Sequence, residues 1–212
     1  MAVMAQKNPH VQFFVTDKNA EKIQAWISYQ LPVFEPGLDE IVKSIRGKNL
    51  HFAIIDETLL QKADMVFVSV NTPTKEYGMG KGMAADLQYW KLAVREIETH
   101  CKNGTIIVEK STVPVKTAEA ISNILNSGDK KFPVLSNPEF LAEGTAIADL
   151  VKPDRILIGH EENESGENAA KILKNIYTSW VPGEKILLTN VRSSELSKLT
   201  ANAFLSPAGL CH

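Results

Sequence analysis

Cysteine is nearly absent from this chain of 212 residues, which has only Cys101 and Cys211. Two thiols cannot make a disulfide framework and do not stand at metal-ligand spacing, so a reducing compartment and no metal are expected. There is no basic run either. Twenty-three Lys and Arg against twenty-five Asp and Glu give a formal net charge of -2, which leaves no electrostatic footprint for nucleic acid or an anionic membrane. No apolar stretch approaches the ~20 residues of a membrane span, and the start lacks a secretory signal pattern. The expectation is a cytoplasmic protein that binds neither nucleic acid nor membrane. Internal repeats and low-complexity tracts are also missing, and none of the five histidines has a catalytic context. Gly78, Gly80 and Gly82 fall short of a dinucleotide fingerprint, because the sixth position is Met83 and the loop begins several residues after its strand.

What is present is enough apolar material for a core, 44% of the residues. Short β-branched or aromatic runs recur at 11–16, 50–54, 65–70, 105–108, 133–135, 155–158 and 185–188. Helical patterns intervene at 20–28, 38–45, 58–62, 84–100, 115–126 and 169–179, and a last helix runs over 194–205. Alternating strands and helices predict an α/β fold with a doubly wound parallel sheet covered on both faces.

Asp17 ends the first such strand. An acid there reads the ribose hydroxyls of NAD in doubly wound dinucleotide folds, or else it caps the helix that follows with Asn19. The glycine fingerprint that normally precedes such an acid by about 20 residues is not found, and 2–7 reads as the tail of the helix it would have opened.

The densest segment is Ser136 to Ala146, S-N-P-E-F-L-A-E-G-T-A. Asn137-Pro138 should end a strand, since the residue before proline is pushed out of the helical region. Glu139 and Glu143 are four apart. If Glu139 opens a helix, both carboxylates share one face; the plain alternative is a helix-dipole acid and a solvated glutamate.

This string resembles the substrate-binding segment of UDP-glucose 6-dehydrogenases, within the UDP-glucose/GDP-mannose dehydrogenase family. Four other stretches carry the same resemblance, in order along nearly the whole chain: Phe34-Glu35-Pro36-Gly37-Leu38; Val70-Asn71-Thr72-Pro73-Thr74 with the loop Gly78 to Gly82; Glu109-Lys110-Ser111-Thr112-Val113-Pro114; and S-S-E-L-S-K-L-T-A-N-A-F from Ser193. The likeness looks closest to animal-type enzymes. It implies a Rossmann-like domain over 1–190, the start of a central connecting helix over 191–205, a diverged tail over 206–212, and NAD as cofactor.

The resemblance also implies roles. NAD would meet Asp17, Lys22, Val70, Asn71, Thr72, Pro73, Thr74, Ser111, Thr112, Val113 and Glu143. UDP-glucose would meet Glu139, Phe140, Leu141, Ala142, Glu143, Lys198, Leu199, Thr200, Ala201 and Asn202. In the family a cysteine holds the aldehyde between two hydride transfers; Glu139 with Thr112 would steer the hydrolytic water, Lys198 would stabilise the oxyanion and Asn202 would bind beside it. Lys22 replaces the arginine usual in close relatives, keeping the charge without the planar fork. Read alone, Lys198 and Asn202 could be a solvated face with Leu196, Leu199 and Ala203 turned to the core, and Ser111 with Thr112 an ordinary helix cap.

The family's nucleophilic cysteine lies in a G-G-x-C segment with no counterpart here. Cys211 reads as a tail residue and Cys101 as a structural or surface thiol. The chain is therefore expected to be inactive alone, or to be a non-catalytic product that binds a nucleotide sugar or a full-length subunit of the family's homo-oligomer. Without a first strand, one expects either an open slot beside 65–70 or a direct pairing of 65–70 with 11–16.

Overall fold

The structure, a computed structural model, describes residues 1–70, 73, 88–111 and 114–205, the side chains of 202–205 excepted. Asn71, Thr72, Thr74, the glycine loop, Thr112, Val113, the Asn202 side chain and Cys211 lie outside the described residues. In chain order the elements are α1 (Ala2–Lys7), β1 (Phe13–Asp17), α2 (Ala20–Ile27), α3 (Leu38–Ile45), β2 (Leu50–Ile54), α4 (Glu57–Lys62), β3 (Met65–Val68), α5 (Gln88–His100), β4 (Ile106–Glu109), α6 (Thr117–Leu125), β5 (Val134–Ser136), α7 (Ala146–Val151), β6 (Ile156–His160), α8 (Glu164–Tyr177), a 3-10 turn (Gly183–Lys185), β7 (Ile186–Asn190) and α9 (Val191–Leu205). They divide into two units.

The first unit comprises 1–59, 141–155 and 173–186. Its sheet is the parallel pair β1 and β2, in register from Phe13 opposite Leu50 to Asp17 opposite Ile54. α2 starts where Asn19 Oδ1 accepts the N–H groups of Glu21 and Lys22, which satisfies two orphan amides of the first turn. α3 buries Ile41, Val42 and Ile45, one face at helical spacing. Buried Asn49 donates to the carbonyls of Ala5, Asn8 and Val11 at 2.8, 3.2 and 3.2 Å, tying α1 to the approach into β1.

The second unit comprises 60–140, 156–172 and 187–212, built on the sheet β3-β4-β5-β6-β7. β3, β4 and β5 are parallel, with Met65 opposite Ile106 and Ile107 opposite Val134. All four residues of β4 are buried, as a strand covered on both faces requires. Trp90, Val94 and Ile97 of α5 and Ala118, Ile121 and Leu125 of α6 join this core. α9 packs against β6, and Gly159 permits the approach: a Cβ there would lie 2.6 Å from Ser194 Cβ and 2.9 Å from Val191 Cα.

Three expectations change. β6 runs antiparallel to β5, through Ser136 opposite Gly159, so the sheet is mixed. The connection through α7 brings the chain back in at the end of the sheet where β5 left it, instead of crossing over. No helix opens at Glu139: residues 137–142 are outside any helix, Gly144 turns at φ 85, and α7 begins only at Ala146. The Glu35 carboxylate accepts the N–H groups of Gly144 at 3.1 Å and Ala146 at 2.7 Å, which places the helix start there. Glu139 and Glu143 therefore do not share a helix face. Among the described side chains of α9 the buried ones are Val191, Ser194 and Glu195, whereas Leu196 is 55% exposed, so the core face is not the one that Leu196 would define. Of the two outcomes expected for 65–70, direct pairing with 11–16 is not found: β1 and β3 are each the terminal strand of their own sheet.

Candidate functional site

In the second unit the carboxyl ends of three parallel strands converge. Lys110 N–H donates to Val68 O at 3.0 Å, and Ser111 Oγ donates to Val70 O at 2.8 Å, joining the ends of β3 and β4. Ser111 is thus engaged with the neighbouring strand and does not cap α6. The N-cap position of α6 is Lys116, at φ 78, and its side chain makes no cap bond. Glu195 of α9 supplies the acceptor instead, taking Lys116 N–H at 2.7 Å and Ala118 N–H at 2.8 Å.

Asn137, 1% exposed, continues β5. Its Nδ2 donates to Leu157 O at 2.8 Å, which turns Oδ1 toward Lys110 Nζ at 3.3 Å. Burial lowers the Lys110 pKa to about 8, opposed by the charges of Glu139 and Glu109 and helped by that of Lys198. Glu139 itself is exposed. The Lys198 ammonium lies 5.4 Å from the centre of the Phe140 ring, a cation–π contact that orients both groups. Lys110, Glu139, Phe140 and Lys198 thus form one charged and aromatic cluster.

Below it Glu109 is 1% exposed. Ser136 Oγ donates to its Oε2 at 3.1 Å, and Ser194 Oγ lies 3.2 Å from Ser136 Oγ, while Oε1 is buried with no partner among the described residues. Burial pushes its pKa up to about 8; the Ser136 bond opposes this, Glu195 adds to it, and Lys110 opposes it. The Glu195 pKa is also raised by burial, against the pull of its backbone N–H donors. A proton on Glu109 at neutral pH keeps a second buried charge away from Glu195.

Of the expected substrate residues, Leu199 and Ala201 are partly exposed and Thr200 exposed, along the helix that presents Lys198. Backbone spacing puts Asn202 one turn beyond Lys198. Leu141, Ala142 and Glu143 belong to the first unit, where Thr145 N–H donates to Ala142 O. There Asp17 ends β1 with Oδ1 accepting Asn19 N–H at 2.8 Å and Oδ2 3.5 Å from Lys22 Nζ. Asp17 thus serves the local turn with one oxygen and holds the other beside a lysine. Pro73 is exposed and Val70 partly so.

Lys110, Asn137, Glu195 and Glu35 are parts of the site or its supports that motif reading alone did not single out. Lys110 and Asn137 stand at strand ends inside recognised strings, which was a usable signal. Glu35 and Glu195 also lie inside recognised strings, but the amides they cap are far away in the sequence. Cys101 is buried, with burial pushing its thiol up to about 11, so it is a structural thiol. Among the described residues no group of His, Cys, Asp and Glu could hold a metal, and no helix is long and apolar enough to cross a membrane.

Residues 1–181 match the family model described as UDP-glucose/GDP-mannose dehydrogenase family, NAD binding domain. The chain is 59% identical over 208 residues to UDP-glucose 6-dehydrogenase 3 of Arabidopsis thaliana and 58% identical over 208 residues to UDP-glucose 6-dehydrogenase 1 of Glycine max, covering 97% of this chain and 43% of each relative. It thus spans less than half the length of these relatives. Both are plant proteins, which gives no support to the animal-type affinity expected from the motifs. Among solved structures it resembles a UDP-glucose dehydrogenase of Pyrobaculum islandicum, with a TM-score of 0.78 at 32% identity over 96% of this chain and 47% of that one. It also resembles a GDP-mannose dehydrogenase of Pseudomonas aeruginosa, with a TM-score of 0.82 at 26% identity over 98% of this chain and 48% of that one.

Proposed function

Because this chain belongs to the UDP-glucose/GDP-mannose dehydrogenase family, an oxidoreductase family whose NAD-binding domain it matches, we propose that it carries the cofactor side and part of the sugar-nucleotide side of a UDP-glucose 6-dehydrogenase. The reaction is the NAD-dependent two-step oxidation of UDP-glucose to UDP-glucuronate. The observation that carries this reading is the cluster of Lys110, Glu139, Phe140 and Lys198 at the carboxyl ends of β4 and β5, where ligands bind in open α/β sheets.

NAD, when bound, supplies the hydride acceptor. Asp17 holds its ribose hydroxyls, with Lys22 close by, while Val70, Pro73, Ser111 and Glu143, together with Asn71, Thr72, Thr74, Thr112 and Val113, are the further cofactor positions. Phe140 fixes the Lys198 ammonium, which then faces oxygen on the reacting carbon as negative charge grows there. Glu139 is exposed and placed to accept a proton from a hydrolytic water, with Thr112 as its hydroxyl partner. Asn202, one turn along α9, and Leu141, Ala142, Leu199, Thr200 and Ala201 complete the sugar-nucleotide side. Exposed Leu196 leaves an apolar position on α9 for pairing with another copy of the chain.

The test is calorimetric titration of the purified chain with UDP-glucose. Lys198→Ala and Phe140→Ala should each weaken binding by about tenfold or more, the worth of one charge-assisted contact. Binding that is absent, or indifferent to both substitutions, would overturn the reading.

A further inference from the structure

The reading above gives one amine, Lys198, to the developing charge, yet a second amine reaches the same ground. Lys110 Nζ is held by a neutral acceptor, Asn137 Oδ1, and the Asn137 amide is itself locked by its bond to Leu157 O. Among the described residues Lys110 makes no salt bridge. An ammonium has three donor hydrogens, and among the described residues this one meets a single acceptor, Asn137 Oδ1. Glu139 and Lys198, the two groups assigned to the reacting end of the sugar, are both near enough to act on it electrostatically.

Resting on that functional reading, we propose that Lys110 is a second oxyanion-binding residue, which together with Lys198 holds the carboxylate of the oxidised sugar nucleotide. The chemistry calls for such a group. Oxidation turns a neutral hydroxymethyl group into a carboxylate, adding one negative charge at a single carbon, and a carboxylate has two oxygens for two donors. The groups facing Lys110 are Glu109 on its own strand, Glu139 after β5 and Lys198 on α9. Burial and the Lys198 charge lower its pKa to about 8, while the two glutamates oppose them. Its charge is therefore complete below pH 7 and lost above pH 9, and an arriving carboxylate favours the charged form.

The experiment compares two ligands that differ only at that carbon, UDP-glucose and UDP-glucuronate, by calorimetry on the whole chain and on Lys110→Met and Lys110→Arg. In the wild type the preference for UDP-glucuronate over UDP-glucose should fall as pH rises from 7 to 9. Lys110→Met should lower that preference by about tenfold to hundredfold at pH 7, the effect of one charge-assisted hydrogen bond, weakening UDP-glucuronate well beyond any loss of UDP-glucose. Lys110→Arg should keep it at every pH. Equal loss of both ligands in Lys110→Met, no loss at all, or a pH dependence that persists in Lys110→Arg would overturn the assignment. If Lys110→Met does not fold, the wild-type and Lys110→Arg pH profiles decide it alone. A wild-type chain that binds neither ligand sinks the functional reading and this inference with it, whereas binding of both without a Lys110-dependent preference sinks only the inference.

Discussion

Glu195 on α9 accepts the backbone N–H groups of Lys116 and Ala118, 79 and 77 residues earlier, at 2.7 and 2.8 Å. A helix that also presents Lys198 thereby supplies the missing cap of the helix that follows the Ser111 segment. Replacing Glu195 with Ala should cost about 1–3 kcal/mol, since two amides near the helix start lose their acceptor inside the protein. Glu195→Gln keeps an oxygen and should cost less. Urea unfolding should show a lower midpoint with an unchanged slope, and an unchanged midpoint for Glu195→Ala would contradict the capping role.

Glu109 and Lys110 predict an unusual pH profile of stability. Glu109 has a folded pKa of about 8 against an ordinary 4.5, so between those values the folded chain keeps a proton that the unfolded chain has released, and stability falls as pH rises. Lys110, at about 8 against an ordinary 10.5, does the reverse: the folded chain loses its proton first, and stability recovers from about pH 8 to 10.5. The two together give a trough near pH 8, of the order of a few kcal/mol deep. Glu109→Gln should flatten the acid side of the trough. Urea unfolding at pH 5, 8 and 10 checks this, and a stability maximum near pH 8 would refute it.

Gly159→Ala should destabilise the chain by about 1–3 kcal/mol, because the new methyl group overlaps Ser194 Cβ and the Val191 backbone and α9 must lift from β6. Thermal unfolding followed by circular dichroism measures it. No shift in the midpoint would mean that α9 is free to move away.

Asp17→Ala should weaken NAD binding about tenfold, the loss of a charge-assisted contact to a ribose hydroxyl, and leave UDP-glucose binding unchanged. Fluorescence titration with NADH and calorimetry with UDP-glucose separate the two. An effect on UDP-glucose alone would reverse the assignment of Asp17.

Local signals accounted for the element pattern well. The apolar runs marked all seven strands, and α3 begins and ends where its pattern does, because Gly37 and the buried Ile41, Val42 and Ile45 bound it. α8 starts at Glu164, five residues before its expected position, since Asn163 Oδ1 accepts Gly166 N–H and the glycine does not break the turn. The other failures are long-range. Glu35 sets the start of α7 from more than a hundred residues away, so the short spacing of Glu139 and Glu143 looked like a helix face when it was not. The reversal of β6 depends on where the chain re-enters the sheet, which no local pattern encodes. In the site, Glu139, Phe140 and Lys198 came from motif resemblance, while Lys110 needed the Asn137 geometry to stand out.

Hydrogen exchange read by mass spectrometry tests most directly whether the ends of β4 and β5 with α9 form the sugar-nucleotide site. Adding UDP-glucose to the purified chain should slow exchange in peptides covering 136–143 and 194–200, leaving those covering 13–24 unchanged. Protection confined to 13–24, or none in either segment, would contradict the account.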